Sequence, residues 1–387
     1  MKVLIQICLI FSLYSCAVTA QPKQEIDPNI WVREGYQLSI VQSDIQQPRF
    51  MQFDDKGTLF VSVSEKGVIK SCMDKDGDGY YETVADFATA HPQAHGLQWH
   101  DGWLWFTESG AVFKARDTNG DGKADETITV LKDLPKGGGH WYRPILVHNG
   151  RIFTAIGCSG NIDDETNTDR LKIWSYKEDG TDKKLFAGGL RNTEKLILRP
   201  GTDEIWGMDH GSDNMGEVME RRAKNEIRRP ITDYNPPCEM NHYVEGGFYG
   251  HPYITGNRIP RYEYMERKDI VDWAAKTIPP AWAAAAHNAP NAMTFYDGSQ
   301  FPTELKGDAF VAYHGSWNRS DRGGYQVTRV LFEDGKPYGE QRYVAFLNKE
   351  KDVFGRPVDV IVAKDGSLLI SDDWGHKIYK LSYVGKK

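Results

Sequence analysis

The sequence predicts an all-β fold, a six-bladed β-propeller with an insertion between blades four and five. A short pattern of a polar turn followed by an apolar strand occurs six times, and Asp-Gly and Asn-Gly turns of this kind favour β-hairpins. The turn glycines recur at intervals of about 45–59 residues, with one interval about twice as long. Periods near 40–50 residues in an all-β sequence are typical of propeller blades. The six glycines are Gly57, Gly102, Gly150, Gly201, Gly307 and Gly366.

Each blade is predicted from one copy of this pattern, and a further strand precedes the first copy. The copies occupy residues 55–61, 100–106, 148–154, 200–206, 306–311 and 364–370. Residues 36–40 alternate between polar and apolar side chains after Gly35, as a strand does. We expect this strand to complete the sixth blade, which closes the ring and leaves no free sheet edge.

The long interval is filled by residues 220–289, which are rich in Pro, Tyr, Trp and Ala. This segment is predicted to be an insertion that covers one face of the propeller. Within it, residues 269–275 are predicted to form a short helix.

Composition excludes several classes of protein. Hydrophobic residues make up 40% of the 387 residues and charged residues 26%, so the chain is neither disordered nor fibrous. The formal net charge is −7, which argues against a nucleic-acid partner, because phosphate binding needs a basic face.

The first twenty residues have the pattern of a secretory signal, so residues 1–20 are predicted to be a signal peptide and 21–387 the propeller domain. Lys2 precedes an apolar run over 3–11, and small residues end at Ala20. That run is too short for a membrane span. The sequence Leu-Tyr-Ser-Cys ending at Cys16 also resembles a lipoprotein box. The protein is therefore expected to be exported, periplasmic or extracellular, with lipid attachment at Cys16 left open.

Cysteine usage excludes a cystine framework. Cleavage after Ala20 leaves Cys72, Cys158 and Cys238, so at most one disulfide forms, and a Cys158–Cys238 bridge stays open. No Cys-x-x-Cys-His sequence is present, so no c-type haem is attached.

Several ordered motifs together resemble the pyrroloquinoline quinone (PQQ)-dependent glucose/sorbosone dehydrogenases. The resemblance implies a quinoprotein propeller over nearly the whole mature chain, with PQQ and calcium as cofactors and a sugar as substrate. The motifs are GLRN (189–192), DHGSD (209–213), EMN (239–241), GGFYGHP (246–252), AYHGSWNR (312–319), GRPVDV (355–360) and SDDW (371–374).

Basic residues precede the repeated hairpins, at positions where propeller strands begin near the central channel. Guanidinium groups offer paired donors to carboxylates, as a flat tricarboxylate such as PQQ requires. Any one arginine could instead form an ion pair at the surface or between blades. The residues at these positions are Arg49, His95, His140, Arg143, Arg191, Asn192 and Arg356.

The resemblance also implies catalytic roles. His140 corresponds to the general base, and a histidine suits proton transfer near neutral pH. Arg191 and Asn192 match the pair that contacts the quinone oxygens. Cys158 stands where one branch of the family has an acidic residue that supports the histidine, so the orientation of His140 is left open.

Metal and wall positions follow from the same resemblance. The backbone carbonyls of Gly211 and Ser212 match a calcium-binding turn, and a carbonyl ligand survives the change from Pro to Ser212. Arg356 matches a clamp on a cofactor carboxylate. The resemblance also implies that a further wall of the cofactor site is formed by His314, Trp317, Asn318 and Arg319, although Trp317 could instead pack in the core.

Two Asp-rich loops are separate calcium candidates. Residues 74–82 and 117–125 place oxygen ligands at positions 1, 3, 5 and 9 of an EF-hand-like loop, but the glutamate at position 12 is missing. The alternative is a pair of hairpin turns that bind no metal. The candidate ligands are Asp74, Asp76, Asp78, Asp117, Asn119 and Asp121.

The favoured function is therefore an exported PQQ-dependent dehydrogenase that oxidises a sugar or a related aldose or sorbosone. Its electrons must pass to an external acceptor, a quinone or a cytochrome. Two alternatives stay open: a calcium-dependent lactonase, which needs a channel lined by Glu, Asp and Asn, and a propeller that binds glycans or proteins without catalysis.

Overall fold

The computed structural model describes residues 25–216, 220 and 229–385. The predicted signal peptide and Cys16 lie outside these residues. Two strands precede the first blade, β1 (Trp31–Val32) and β2 (Tyr36–Gln42). Within the described ranges, none of the helices has the length and apolarity required to cross a bilayer.

Each of the first three blades is built from four consecutive antiparallel strands. Blade one contains β3 (Met51–Phe53), β4 (Leu59–Val63), β5 (Val68–Met73) and β6 (Thr83–Ala88). Blade two contains β7 (Leu97–His100), β8 (Trp103–Glu108), β9 (Ala111–Arg116) and β10 (Glu126–Leu131). Blade three contains β11 (Leu146–His148), β12 (Arg151–Ile156), β13 (Lys172–Lys177) and β14 (Lys184–Gly188). Short 3-10 turns lie at Ser64–Lys66, Tyr262–Tyr264 and Thr303–Leu305.

Blade four is interrupted twice, and this corrects the predicted place of the insertion. Strands β15 (Thr193–Leu198) and β16 (Ile205–Asp209) are followed by α1 (Pro230–Tyr234) before β17 (Cys238–Tyr243) joins the sheet. The elements β18 (Gly247–Phe248), β19 (Ile254–Thr255), β20 (Ile259–Pro260) and α2 (Ile270–Lys276) then precede β21 (Trp282–Ala284), the last strand of the blade. Because β17 and β21 pair within blade four, the insertion lies inside that blade and not between blades four and five.

The inserted segment also reaches the neighbouring blade. Strand β18 pairs in parallel with β14 and extends blade three by one strand. Helix α2 confirms the short helix predicted over 269–275, with a shift of one residue.

Blades five and six complete the ring, so the six-bladed prediction is confirmed. Blade five contains β22 (Pro290–Phe295), β23 (Ala309–Tyr313), β24 (Gln326–Glu333) and β25 (Lys336–Ala345), with β1 on its edge. Blade six contains β26 (Pro357–Val362), β27 (Leu368–Asp372) and β28 (Lys377–Tyr383). Its fourth strand is β2, as predicted.

All six predicted turn glycines lie between the first and second strands of their blades. Each has a positive φ, from +71° at Gly150 to +102° at Gly57. Residues with a side chain adopt this backbone region at a cost, so glycine fixes the turn locally in every blade.

Ring closure by β2 makes the N-terminal strand part of the core. Leu38 pairs with Leu381 of β28 and is 6% exposed, within a cluster between blades five and six that includes Phe310 and Tyr343. We expect Leu38→Ala to lower the free energy of unfolding by about 2–4 kcal/mol, measured by urea denaturation, because it leaves a cavity in this cluster. Ser39→Ala, on the exposed face of the same strand, is the control, and equal effects of the two changes would contradict this role of β2.

The strand directions define two ends of the propeller. The first strand of each blade begins at one end, here called the site end, and the connections between second and third strands return to it. The turns between third and fourth strands of blades one and two, residues 74–82 and 117–125, lie at the opposite end.

Candidate active site

Three arginines that precede first strands converge at the site end, as predicted. Arg49 precedes β3, Arg191 precedes β15 and Arg356 precedes β26. Arg49 and Arg191 are 7% and 6% exposed, and Arg356 is half-buried. Loops that follow the second strands of blades four, five and six add His210, Asp213, His314 and Asp373 to the same cluster.

Arg49 lies at the centre of this cluster. Its guanidinium donates to Asp373 Oδ2 at 2.7 Å and to Glu194 Oε2 at 3.1 Å, and its Cζ lies 4.6 Å from the ring centroid of Tyr142. Arg49 Nε is buried and has no hydrogen-bond partner among the described residues. One buried donor is therefore left for a bound molecule.

Asp373 connects Arg49 to blade five. His314 Nε2 lies 2.9 Å from Asp373 Oδ1, and Arg356 Nε donates to the His314 carbonyl at 3.1 Å. Burial alone would raise the pKa of Asp373, but His314, Arg49 and Arg356 outweigh it and lower that pKa to about 2. Asp373 is therefore ionised, and His314 donates to it from Nε2.

Arg191 and Asn192 lie in a second network beside the first. Arg191 Nη2 donates to Asp213 Oδ2 at 2.9 Å, and its Nε donates to the Asn161 carbonyl at 3.0 Å. Asn192 Nδ2 donates to Glu194 Oε1 at 3.2 Å and lies 3.5 Å from His210 Nδ1. Glu194 therefore joins the two networks, because it also accepts from Arg49.

The structure answers the question of how His140 is oriented. Its Nδ1 lies 2.8 Å from the backbone carbonyl of Cys158, and a carbonyl only accepts, so Nδ1 carries the proton. Burial, together with the nearby Arg191, lowers the pKa of His140 to about 3. The imidazole is therefore neutral near pH 7, and Nε2 is the nitrogen that accepts a proton.

The charge balance of the site differs from the prediction. The residues ahead of the hairpins suggested a strongly basic channel, yet Glu194, Asp213 and Asp373 each contact an arginine. Asp213 and Asp373 belong to the DHGSD and SDDW motifs, and Glu194 lies two positions after Asn192 of the Arg-Asn pair. That proximity was the available signal, but it did not show which arginine each acid would meet.

Two residues of the predicted cofactor set lie behind the site. His95 is fully buried between Phe50 and Tyr142, with ring centroids 4.1 Å and 4.4 Å away. Arg143 is also fully buried and donates to the carbonyls of His140 at 2.8 Å and Pro135 at 2.7 Å. We therefore assign both to the framework that holds the 135–143 loop and Tyr142, not to direct cofactor contact.

The residues of blade five that were predicted to form a wall of the site have different surroundings. Trp317 is 71% exposed, so core packing is excluded for its indole. Asn318 is buried and exchanges two hydrogen bonds with Asn214, of 3.0 Å and 2.8 Å. Arg319 contacts the Ala286 carbonyl at 3.4 Å and the Asp321 carbonyl at 3.2 Å, so its position supports the loop.

The predicted calcium-binding turn lies beside Arg191. Gly211 and Ser212 line a small cavity with Arg191 and His210, and the Ser212 hydroxyl accepts a hydrogen bond from the buried Arg261. Among the described residues, neither the Gly211 nor the Ser212 carbonyl accepts a hydrogen bond. Both oxygens therefore have the chemistry of a calcium ligand.

The two Asp-rich loops lie at the end opposite the site. Asp74 Oδ1 and Oδ2 accept from the backbone N–H groups of Gly77 and Gly79, and Asp117 does the same for Gly120 and Gly122. These contacts account for the hairpin turns without a metal. The carboxylates of Asp74, Asp76 and Asp78 lie within 4.8 Å of one another, so calcium binding there stays a prediction.

The cysteines Cys72, Cys158 and Cys238 are buried free thiols, without the bridge that the sequence left open.

Buried neutral histidines give the stability a defined pH dependence. Burial lowers the pKa of His140 and of His210 to about 3, and it also lowers the pKa of His95 well below its usual value. An unfolded histidine has a pKa near 6.5, so the unfolded state binds more protons below that pH and stability falls as the pH falls. We expect each such histidine to contribute a slope of about 1.4 kcal/mol per pH unit between about pH 6 and pH 4. His210→Gln should reduce the slope measured by urea denaturation, and an unchanged slope would contradict this.

Comparison with known proteins places this chain in a family. The protein is a six-bladed propeller with a cluster of charged side chains at one end of its channel. The chain belongs to the TrAA12-like family, whose model matches residues 30–383. This confirms the resemblance to PQQ-dependent sugar dehydrogenases at the level of the family.

Individual relatives differ in how much they cover. The chain is 28% identical to an uncharacterized protein of Borreliella burgdorferi, over 97% of this chain and 96% of that protein. It is 25% identical to the pyrroloquinoline quinone-dependent pyranose dehydrogenase of Coprinopsis cinerea over 82% of this chain, but spans only 46% of that protein's length.

Solved structures show the same fold at low identity. A Trichoderma reesei protein of Carbohydrate-Active Enzymes Family AA12 has a TM-score of 0.78 and 18% identity, covering 94% of this chain and 100% of that one. The holo form of the pyranose dehydrogenase PQQ domain from Coprinopsis cinerea has a TM-score of 0.75 and 19% identity, covering 95% and 99%.

Proposed function

We propose that this protein is a PQQ-dependent dehydrogenase that oxidises a sugar or a related aldose or sorbosone. Family membership supports an oxidoreductase that acts on sugars. The observation that carries the proposal is the gathering of Arg49, Arg191 and Arg356 at the site end beside the neutral imidazole of His140. Paired donors for carboxylates and a proton acceptor are the two things that the reaction needs from the chain.

The three arginines fit an anionic cofactor, although three carboxylates partly engage them. Arg49 Nε is a buried donor without a partner among the described residues, and Arg356 is half-buried. Arg49, Arg191 and Arg356 would hold the cofactor carboxylates, and Asn192 would contact its quinone oxygens. PQQ, when bound, supplies an acceptor for the hydride of the substrate.

The chain itself must take the proton of the sugar hydroxyl. His140 Nε2 is suited to this because its Nδ1 proton is held by the Cys158 carbonyl. His314 is a second candidate because it contacts ionised Asp373, which favours the protonated imidazole. Burial outweighs this contact and lowers the pKa of His314, so its imidazole is neutral. Separate alanine variants of His140 and His314 show which of the two imidazoles takes the proton.

A calcium ion beside the cofactor belongs to the same proposal. The Gly211 and Ser212 carbonyls would hold it, and a cation there would polarise a neighbouring carbonyl oxygen.

We also propose that the protein is exported, on the pattern of residues 1–20, and that an external quinone or cytochrome takes the electrons.

Reconstitution tests the proposed function. Purified full-length protein is treated with PQQ and calcium, and reduction of an artificial electron-acceptor dye is followed with a panel of sugars. We expect turnover that depends on PQQ. Absence of turnover with every sugar, in protein that binds PQQ by absorbance after gel filtration, would overturn the proposal.

The lactonase alternative is tested in the same preparations. It needs carboxylates around an unshielded cation, whereas Glu194, Asp213 and Asp373 contact arginines. Lactone hydrolysis without PQQ would support it, and glycan binding with neither activity would support the non-catalytic alternative.

A further inference from the structure

A cleft opens at the site end, off the centre of the propeller. It lies between the turn 64–67 of blade one, the connector 90–93 between blades one and two, and the residues Trp141 and Tyr142. We call it the rim cleft. Its volume of about 380 Å³ is within the range of small-molecule pockets.

The rim cleft shares a wall with the candidate active site. Tyr142 lines the cleft, and its ring also lies 4.4 Å from the ring of His95 and 4.6 Å from the Arg49 guanidinium carbon. His140, the proposed base, precedes Trp141 directly. The ring of Tyr142 is therefore common to the rim cleft and to the candidate active site.

The lining of the rim cleft has the chemistry of a site for a neutral polyol. Trp141 and Tyr142 are half-buried aromatic side chains, 5.9 Å apart between ring centroids. Glu65 and Lys66, which also line the cleft, are exposed, and Gln93 is half-buried. Aromatic surface with a few hydrogen-bonding groups suits a sugar ring, and the adjacent opposite charges do not favour a ligand of one strong charge.

Two residues that line the rim cleft have an unusual backbone conformation, and hydrogen bonds hold the neighbouring turns. Ala90 and Gln93 have positive φ angles of +61° and +62°, a region that residues other than glycine adopt at a cost. Ser64 Oγ donates to the Ala94 carbonyl at 2.6 Å, and the His91 N–H donates to the Gly67 carbonyl at 3.0 Å. The cleft is therefore already formed before a ligand enters it.

We propose that the rim cleft binds a second sugar ring, so that the substrate is the end of a disaccharide or oligosaccharide. This rests on the proposed function, because the terminal ring is the one oxidised at the centre. Trp141 provides the stacking surface for the second ring, and Glu65 and Gln93 provide hydrogen bonds to its hydroxyl groups.

Substrate comparison tests the proposal. In the reconstituted protein, we expect kcat/KM for cellobiose or maltose to exceed that for glucose. Trp141→Ala and Glu65→Ala should each lower this ratio about tenfold. Trp31→Ala removes an exposed indole at the outer edge of blade five and should leave the ratio unchanged. A ratio unaffected by both cleft variants would overturn the proposal.

A binding measurement without cofactor separates this inference from the proposed function. Calorimetric titration of the cofactor-free full chain with cellotetraose should show binding that Glu65→Ala or Trp141→Ala weakens about tenfold. Such binding in a protein that oxidises no sugar would support the rim cleft and overturn the proposed function. Oxidation of glucose with no cellotetraose binding would overturn the proposed sugar site in the rim cleft and leave the proposed function standing.

Discussion

Replacing His140 with alanine is expected to lower kcat for sugar oxidation by about 10²–10⁴-fold, the usual contribution of a general base. The imidazole is neutral, because burial and Arg191 lower its pKa to about 3, and its Nδ1 is held by the Cys158 carbonyl. PQQ retention by gel filtration should be unaffected, because the proposed cofactor donors are arginines. Initial rates of dye reduction with saturating PQQ measure the loss.

Chemical rescue and a second histidine make this result specific. Added imidazole should restore part of the activity of His140→Ala, since the removed side chain leaves room near the reacting hydroxyl. If His140→Ala retains full kcat and His314→Ala loses it, the base is His314, which is 2.9 Å from Asp373.

Replacing Arg49 with methionine is expected to lower the free energy of unfolding by about 3–5 kcal/mol. Arg49 is 7% exposed and pairs with Glu194 at 3.1 Å and Asp373 at 2.7 Å, so its removal leaves one buried and one half-buried carboxylate without this cation. Urea denaturation at pH 7 measures the change. The variant should also lose PQQ affinity in the absorbance assay.

An exposed ion pair provides the matched control for Arg49. Lys184 lies 3.2 Å from Asp182, and its side chain is 57% exposed, so Lys184→Met should cost no more than about 1 kcal/mol. Equal losses in the two variants would mean that the centre is hydrated and that burial of its charges has little energetic effect.

The number of blades and the ends of their first strands could be predicted because their signals are local. A glycine turn needs positive φ at one residue, and a strand pattern needs only neighbouring side chains, so Gly57 and its five counterparts marked every blade. Residues 36–40 alternate like a strand but lie outside the six repeated hairpins, so they were predicted to close the ring. Strand β2 does so by pairing with β28.

The same reasoning failed where partners are distant in sequence. Chain order placed the inserted segment between two blades, but pairing of β17 with β21 encloses it in blade four. Likewise, a basic residue ahead of a strand does not reveal whether it faces the channel. Arg49 does, whereas Arg143 turns back to its own loop carbonyls.

By itself, the sequence determined a closed ring of six blades and gave the basic residues ahead of the first strands as candidates for its channel. Only the tertiary structure decided that acids balance those arginines. Arg49 and Asp373 are 324 residues apart, and no local pattern specifies which charges burial will force together. The physical reason is that a buried ion must find a partner in space, whatever its distance along the chain.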